Sequence, residues 1–310
     1  TGETRTHAGR AGNSSTALVD GPFGANIVDA SQCSLLAVQA STGAAYFTHG
    51  GSAVRVVGAT SRVVTTLAGA SSSGIVDGSG IDARFDGADG VALSACGLEL
   101  FVADTNNHRV RRVNLRSLVV DTVAGDGSSA ALVTNGVRAA FAVLPSPRGV
   151  AVAADGATLF VTVAHGVVGI ALNDTTATIE HALTPAPLDL PMIVPSRCPN
   201  RNLDFVDAIL LAGSTSTGTG IGVRTATSFS NPRHPWLDDL YASAARPPCL
   251  RVIDDTRLIG FDTAGYAFSA VDAVSSSTKD FEPIGFGGIV VTVSPSEHKV
   301  ELLDPATGVF

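Results

Sequence analysis

Val102-Ala103-Asp104-Thr105-Asn106-Asn107-His108-Arg109-Val110-Arg111-Arg112-Val113 decides the fold of this 310-residue chain. An apolar run leads into five small or polar residues, and then apolar and charged side chains alternate. That is strand, polar loop, strand. Outward from it, Leu100-Phe101-Val102 extends the first strand backwards, and Gly90-Val91-Ala92-Leu93 stands before it as another. On the other side comes Thr122-Val123-Ala124-Gly125, after which the same order begins again as Gly149-Val150-Ala151-Val152 and Leu159-Phe160-Val161. Thr-x-Ala-Gly also occurs at Thr66-Leu67-Ala68-Gly69 and Thr6-His7-Ala8-Gly9, so the unit is repeated. Each later copy is followed by an aromatic in an Ala-rich turn, Ala83-Arg84-Phe85 and Ala139-Ala140-Phe141.

The stretch from Val102 to Val113 resembles the NHL repeat family, whose pattern carries the same Val-Ala-Asp, Asn-His-Arg and following alternating strand. The resemblance is specific over 66–172. It has echoes at Ala45-Tyr46-Phe47 with Val54-Arg55-Val56-Val57, and at Glu297-His298-Lys299-Val300-Glu301-Leu302-Leu303. It implies an all-β, six-bladed β-propeller of four-stranded antiparallel blades, filling 1–310 as one domain, because such blades bury their faces only by stacking in a ring. Inner strands are expected near Leu35, Val91, Val150, Phe205 or Ile209, Leu250, and Ile284 or Ile289, with five blades as the alternative count. Thr-x-Ala-Gly falls on the outermost strand of a blade. The copy at Thr6 precedes any inner strand and is therefore expected to complete the last blade. Residues 173–285 diverge, with Pro-rich insertions at 184–199 and 230–248.

Composition agrees with strands and turns. Only 15% of residues are charged, 33 are Gly, and apolar runs fall short of the ~20 residues a membrane helix needs. No direct membrane insertion by this segment is expected, and any anchor would belong to a segment absent from it; the chain reads as a mature or excised ectodomain, with Thr1-Gly2 as a cloning remnant. The net charge of −8 repels phosphate. The one dense basic cluster, Arg109, Arg111 and Arg112, is split between the two faces of a strand, so nucleic acid is not an expected partner. Four cysteines without Cys-x-x-Cys spacing, and the sequons at Asn13 and Asn173, favour a secreted protein or the extracellular face of the plasma membrane. Cys198 and Cys249 precede inner strands of consecutive blades in the expected register and should pair. Cys33 and Cys96 form the remaining candidate bridge, with free thiols as the alternative.

Catalytic patterns are thin. His108, His165 and His298 each precede a third strand, and His49 lies in the matching loop. Loops on one face bring such histidines towards a shared metal, as in the lyases that use this propeller type; the other reading is that Asn-His bonds neighbouring backbone. Asp20-Gly21, Asp77-Gly78 and Asp155-Gly156 read as turns. Asp238-Asp239 and Asp254-Asp255 lack a regular calcium loop and read as solvated turns. Gly213–Gly220 lacks the Lys of a phosphate loop and reads as a hairpin tip. No cofactor is expected. Trp236, Leu237 and Tyr241 fall in the second insertion and are the candidate binding residues, Trp and Tyr being frequent interface anchors; Trp236 capping the core is the competing reading. The function expected is a non-enzymatic extracellular or cell-surface module binding a protein or glycan. The alternative is a metal-dependent lyase or lactonase on the same scaffold. An RNA-binding propeller is disfavoured by the acidity.

Overall fold

The computed structural model describes residues 18–22, 33–130, 135–153, 156–172, 174–178, 199–201, 207–214, 229–238, 249–254, 257–262, 267–272, 280–283, 290–294 and 299–303. Their regular structure is antiparallel strand, interrupted by short 3-10 turns such as Thr105–Asn107. No helix in these residues is long and apolar enough to cross a membrane.

Blade 1 is β1 (Cys33–Val38), β2 (Ala45–His49), β3 (Ala53–Val57) and β4 (Val64–Gly69), hydrogen-bonded in that order. Val19–Gly21 runs along its outer edge, where the Gly21 N–H donates to Val64 O at 3.0 Å and the Val64 N–H returns a bond of 2.9 Å. Blade 2 repeats the plan. A short strand, β5 (Gly78–Ser79), covers the outer edge of β6 (Ala88–Leu93), β7 (Glu99–Asp104), β8 (Arg109–Asn114) and β9 (Val119–Ala124), with β9 outermost of the four. Blade 3 has β10 (Asn135–Arg138) in the covering position, then β11 (Val150–Val152), β12 (Thr158–Val163) and β13 (Gly166–Ala171).

The fourth strand of blade 3 does not follow directly. A separate hairpin, β14 (Asp174–Thr178) with β15 (Pro199–Arg201), comes first, and β16 (Asp207–Gly213) then pairs with both β13 and β10. Blade 4 is β17 (Pro232–Asp238), β18 (Cys249–Asp254), β19 (Arg257–Asp262) and β20 (Ala267–Asp272); a three-stranded sheet follows, β21 (Asp280–Pro283), β22 (Val290–Ser294) and β23 (Lys299–Leu303).

These strands correct the expected blade boundaries. Ile209 lies in the outer strand of blade 3, not in the inner strand of a fourth blade, and Leu250 lies in the second strand of blade 4. The inner strand of that blade is β17, inside the stretch read as an insertion. The described residues give four sheets of four or five strands, one of three and one hairpin. Phe205, Ile284 and Ile289, and the Thr6–Gly9 copy expected to complete the last blade, lie outside the described residues.

The reason Thr-x-Ala-Gly marks an outer strand is steric. Gly69 has φ +88, and a Cβ there would stand 2.2 Å from Ser52 O; at Gly125, with φ +101, it would meet His108 O at 2.4 Å. Gly213 is the same residue in blade 3, with φ +135 and His165 O at 2.4 Å. Its strand ends Leu210-Leu211-Ala212-Gly213, so Leu in the Thr position hid it from the motif.

The core sits between blades. Tyr46, Val54 and Leu67 of blade 1 pack with Phe85, Val91 and Leu100 of blade 2. Phe101, Val110 and Val123 of blade 2 pack with Leu144, Val150 and Leu159 of blade 3. Phe160, Val167 and Ala212 of blade 3 pack with Phe229, Leu250 and Val252 of blade 4. Phe85, Leu144 and Phe229 each precede an inner strand and fill one equivalent place, whereas Phe141, which the sequence aligned with Phe85, is 68% exposed.

Tyr46 gives this interface a measurable property. Its hydroxyl donates to Gln39 Oε1 at 3.4 Å, and burial pushes its pKa up to about 12. An unfolded phenol ionises near 10. The folded state therefore holds its proton longer, so stability from this group is full below pH ~10 and is lost as pH rises towards about 12. Phenolate absorbance should show a component titrating near the upper value that Tyr46→Phe removes; an unchanged titration would contradict the burial.

Candidate functional site

The polar residues shared by the repeats hold the blades together. Arg111, on β8, is fully buried. Its Nε donates to Asp77 Oδ1 at 3.1 Å, Nη1 to Asp104 Oδ2 at 2.9 Å and to Arg84 O at 3.0 Å, and Nη2 to Val76 O at 3.0 Å and also to Asp77. Its guanidinium lies over the Phe85 ring, 5.3 Å from the centroid. Every guanidinium group that can donate has an acceptor. Asp104, equally buried, also accepts from the Asp86 N–H at 2.8 Å and from Asn107 Nδ2 at 2.9 Å. Burial pushes its carboxyl above the ordinary range, and these three donors pull the other way.

Blade 1 copies half of this. Buried Arg55 pairs with Asp20 at 3.0 Å, and Asp20 also takes the Thr66 N–H at 2.9 Å and Oγ1 at 2.8 Å. Asp20-Gly21 and Asp77-Gly78 are therefore not free turns: each Asp clamps the third-strand Arg of its own blade, and each Gly pairs with the outer strand. The signal was present in the sequence as an Asp-Gly 35 residues before Arg55 and 34 before Arg111. Blade 3 fills the slots of Asp104, Arg111 and Thr122 with Val163, Val168 and Leu210, which join the apolar cluster. Blade 4 keeps only the carboxylate: buried Asp254 closes β18 as Asp104 closes β7, and accepts the Ser230 N–H at 2.8 Å and the Asn231 N–H at 2.6 Å. It is not a solvated turn residue. Asp254→Ala should lower stability by ~1–3 kcal/mol by stranding those donors, read in urea unfolding; no change in midpoint would contradict the assignment.

The histidine loops are staples between blades. His108 has φ 54, and its Nδ1 accepts the Ser146 N–H at 2.9 Å from the connection entering blade 3. Asn107 Nδ2 donates to Gly74 O at 2.7 Å, and Thr105 Oγ1 to Pro147 O at 2.6 Å. His165 occupies the matching loop of blade 3, and His298 lies outside the described residues. Among the described residues no three of His, Cys, Asp and Glu stand together so as to hold a metal ion. The arginine cluster is committed too. Arg112 joins Asp121 at 2.9 Å and Glu99 at 2.9 Å, and Arg109 donates to Asp126 O at 3.1 Å.

The other face carries the irregular connections. In an antiparallel blade the turns between first and second and between third and fourth strands emerge on one side, and the His loops on the other. In blade 2 the first side has only the short turns 94–98 and 115–118. In blade 3 the third-to-fourth connection, 172–206, is long enough to hold the β14–β15 hairpin, and in blade 4 the first-to-second connection is 239–248. Both leave adjacent blades on the same side.

The candidate binding residues are divided by this arrangement. Trp236 and Leu237 are in β17, opposite Arg251 and Leu250, and Leu237 packs against the cluster of Phe160 and Val167; Tyr241 lies outside the described residues, in the connection itself. Asn13, Asn173 and Cys198 also lie outside them. Cys33 opens β1 opposite His49, whereas Cys96 is in the turn beside Gly97, whose carbonyl accepts Gln39 Nε2 at 3.1 Å past the other end of β1. A strand of that length separates them by roughly 16 Å at ~3.3 Å per residue, which argues against a Cys33–Cys96 bridge.

Comparison with known proteins fits this geometry. The NHL repeat model matches 85–113, which is the stretch from Phe85 through β8. No curated protein sequence matches the chain. The structure is similar to one in a nidogen/laminin complex, with 12% identity, TM-score 0.55, and coverage of 89% of this chain and 77% of that one. Looser likenesses are to an auxiliary nutrient binding protein from Bacteroides ovatus ATCC 8483 (9% identity, TM-score 0.46, 94% and 71% covered) and to a catalytically inactive virginiamycin B lyase from Staphylococcus aureus with quinupristin (10%, 0.45, 90% and 69%). The chain therefore has the fold of a β-propeller and carries an NHL repeat at 85–113.

Proposed function

We propose that this propeller is a non-enzymatic extracellular or cell-surface binding module, and that it meets a protein or glycan partner on the side from which 172–206 and 239–248 emerge. The observation that carries this reading is that both long connections leave adjacent blades on one side, while the residues shared by the repeats are spent on holding blades together. Long connections on a rigid scaffold are where binding residues concentrate. The likeness to a propeller solved in a nidogen/laminin complex is compatible with a protein partner. Even cysteines and two sequons support the extracellular setting.

The test is an extracellular binding screen with the intact chain beside a variant in which 239–248 is replaced by a short Gly-Ser turn. The replacement should keep the unfolding midpoint and lose the partner by at least tenfold. Equal binding by both would overturn the proposal. A mass shift at Asn13 and Asn173 on deglycosylation of secreted protein should accompany it; unmodified sites in secreted material would remove that support.

A further inference from the structure

Four side chains share one place where the inner strands begin. Leu36, Val91 and Val150 each stand opposite the residue two before the end of the second strand of their blade, and two residues before them are Ser34, Asp89 and Arg148. In blade 4, Pro235 falls in that register, between the pairs Arg233–Ile253 and Trp236–Arg251, so Arg233 holds the same place. Side chains there meet across blades: the Ser34 hydroxyl donates to Asp89 Oδ1. The backbones approach too. The Gly90 N–H donates to Arg148 O at 2.7 Å, and a Cβ on Gly90 would stand 2.5 Å from that oxygen. β11 touches β17 in turn. Arg148 and Arg233 are therefore neighbours on the ring, at the mouth of the central channel on the side of the histidine loops.

Both arginines are half-buried. Arg55, Arg111 and Arg112 are committed to carboxylates of their own blades. Among the described residues no hydrogen bond or ion pair engages the side chain of Arg148 or Arg233, and Arg233 Nε is buried with no acceptor. A buried guanidinium N–H in that condition is costly, and an acceptor from outside the chain would relieve it. We infer that Arg148 and Arg233 bind a tetrahedral oxyanion, a sulfate or phosphate group, at the channel mouth opposite the long connections. Each guanidinium presents a planar fork of donors. Two forks from neighbouring strands suit oxygens that do not share one plane, whereas a planar carboxylate fills a single fork. Asp89, next on the ring, takes the Ser34 hydroxyl and borders the site. Against a net charge of −8 the pair is a local attractor for anions, and the channel walls focus its field.

The experiment is isothermal titration of the intact chain with inorganic sulfate, inorganic phosphate and acetate, at fixed ionic strength in chloride, beside Arg148→Gln, Arg233→Gln and Arg148→Lys. Sulfate or phosphate should saturate a single site, and each Gln variant should weaken it by about tenfold or more. Arg148→Lys keeps the charge but not the fork, and should weaken it less. Urea midpoints in chloride should match that of the intact chain; if a Gln variant unfolds early, Arg148→Lys decides. Sulfate binding alone assigns a sulfate ester, phosphate alone a phosphate ester, and both together the shared chemistry. Absence of saturable binding, or equal binding by the variants, would overturn the inference. Acetate bound as tightly as sulfate would overturn the tetrahedral assignment. The variant with 239–248 replaced should bind sulfate unchanged, so this site and the proposed partner surface fail separately.

Discussion

Arg111→Met should be among the most damaging single substitutions in the chain, lowering stability by ~3–5 kcal/mol. Methionine matches much of the volume but removes the cation from Asp104, which is fully buried and 2.9 Å from Nη1. The carboxylate would then be left in the core with its charge uncompensated, the Arg84 carbonyl would lose the Arg111 donor, and the Val76 carbonyl would keep only the Arg84 N–H. The loss comes from stranding partners, not from the intrinsic worth of a buried ion pair. The chain supplies its own control. Blade 3 holds Val, Val and Leu in the equivalent slots, so the triple variant Asp104→Val, Arg111→Val, Thr122→Leu should recover most of what Arg111→Met loses. Urea unfolding followed by far-UV circular dichroism measures both. A triple variant weaker than the single one would show that the slot is not an interchangeable module.

Gly125→Ala is expected to cost ~3 kcal/mol or more. The added Cβ would lie 2.4 Å from His108 O and 2.9 Å from Arg109 Cα, both backbone atoms that cannot rotate away, at φ +101. Relief would require β9 to leave β8, and the Gly125 N–H also donates to Ala139 O in the next connection. Gly50→Ala separates strain from clash. Gly50 also has positive φ, +62, but a Cβ there meets nothing nearer than Ser52 Oγ at 3.9 Å, so only the ~1 kcal/mol backbone penalty applies. Equal losses for the two variants, read by thermal unfolding, would contradict the steric account of the Ala-Gly signature.

Where the repeat kept its polar residues, the sequence was transparent. Val102 to Val113 named both strands and the loop between them, and the second reading of Asn-His, bonds to neighbouring backbone, is what Asn107 and His108 make. Legibility failed where apolar residues replaced polar ones in the same slots. Leu210 for Thr122 concealed the fourth strand of blade 3, and a strand beginning Pro232-Arg233-His234-Pro235 does not read as the inner strand of a blade, although Pro at a strand start needs no ladder donor. Asp20 and Asp77 were misread because local chemistry favours Asp-Gly as a turn, while their partners Arg55 and Arg111 lie more than thirty residues away. Long-range pairing of that kind has no local signature. The long connections were legible in the sequence as a region, but the strand running through them was not, since β17 passes through the stretch that carries Trp236.

The most direct test of the binding account is a covalent-labelling footprint of the chain with its captured partner, against the chain alone. The account predicts loss of labelling in 172–206 and 239–248, with the loops at Thr105–His108 and Ala164–His165 unchanged. Protection of those histidine loops, with the long connections still labelled, would contradict it.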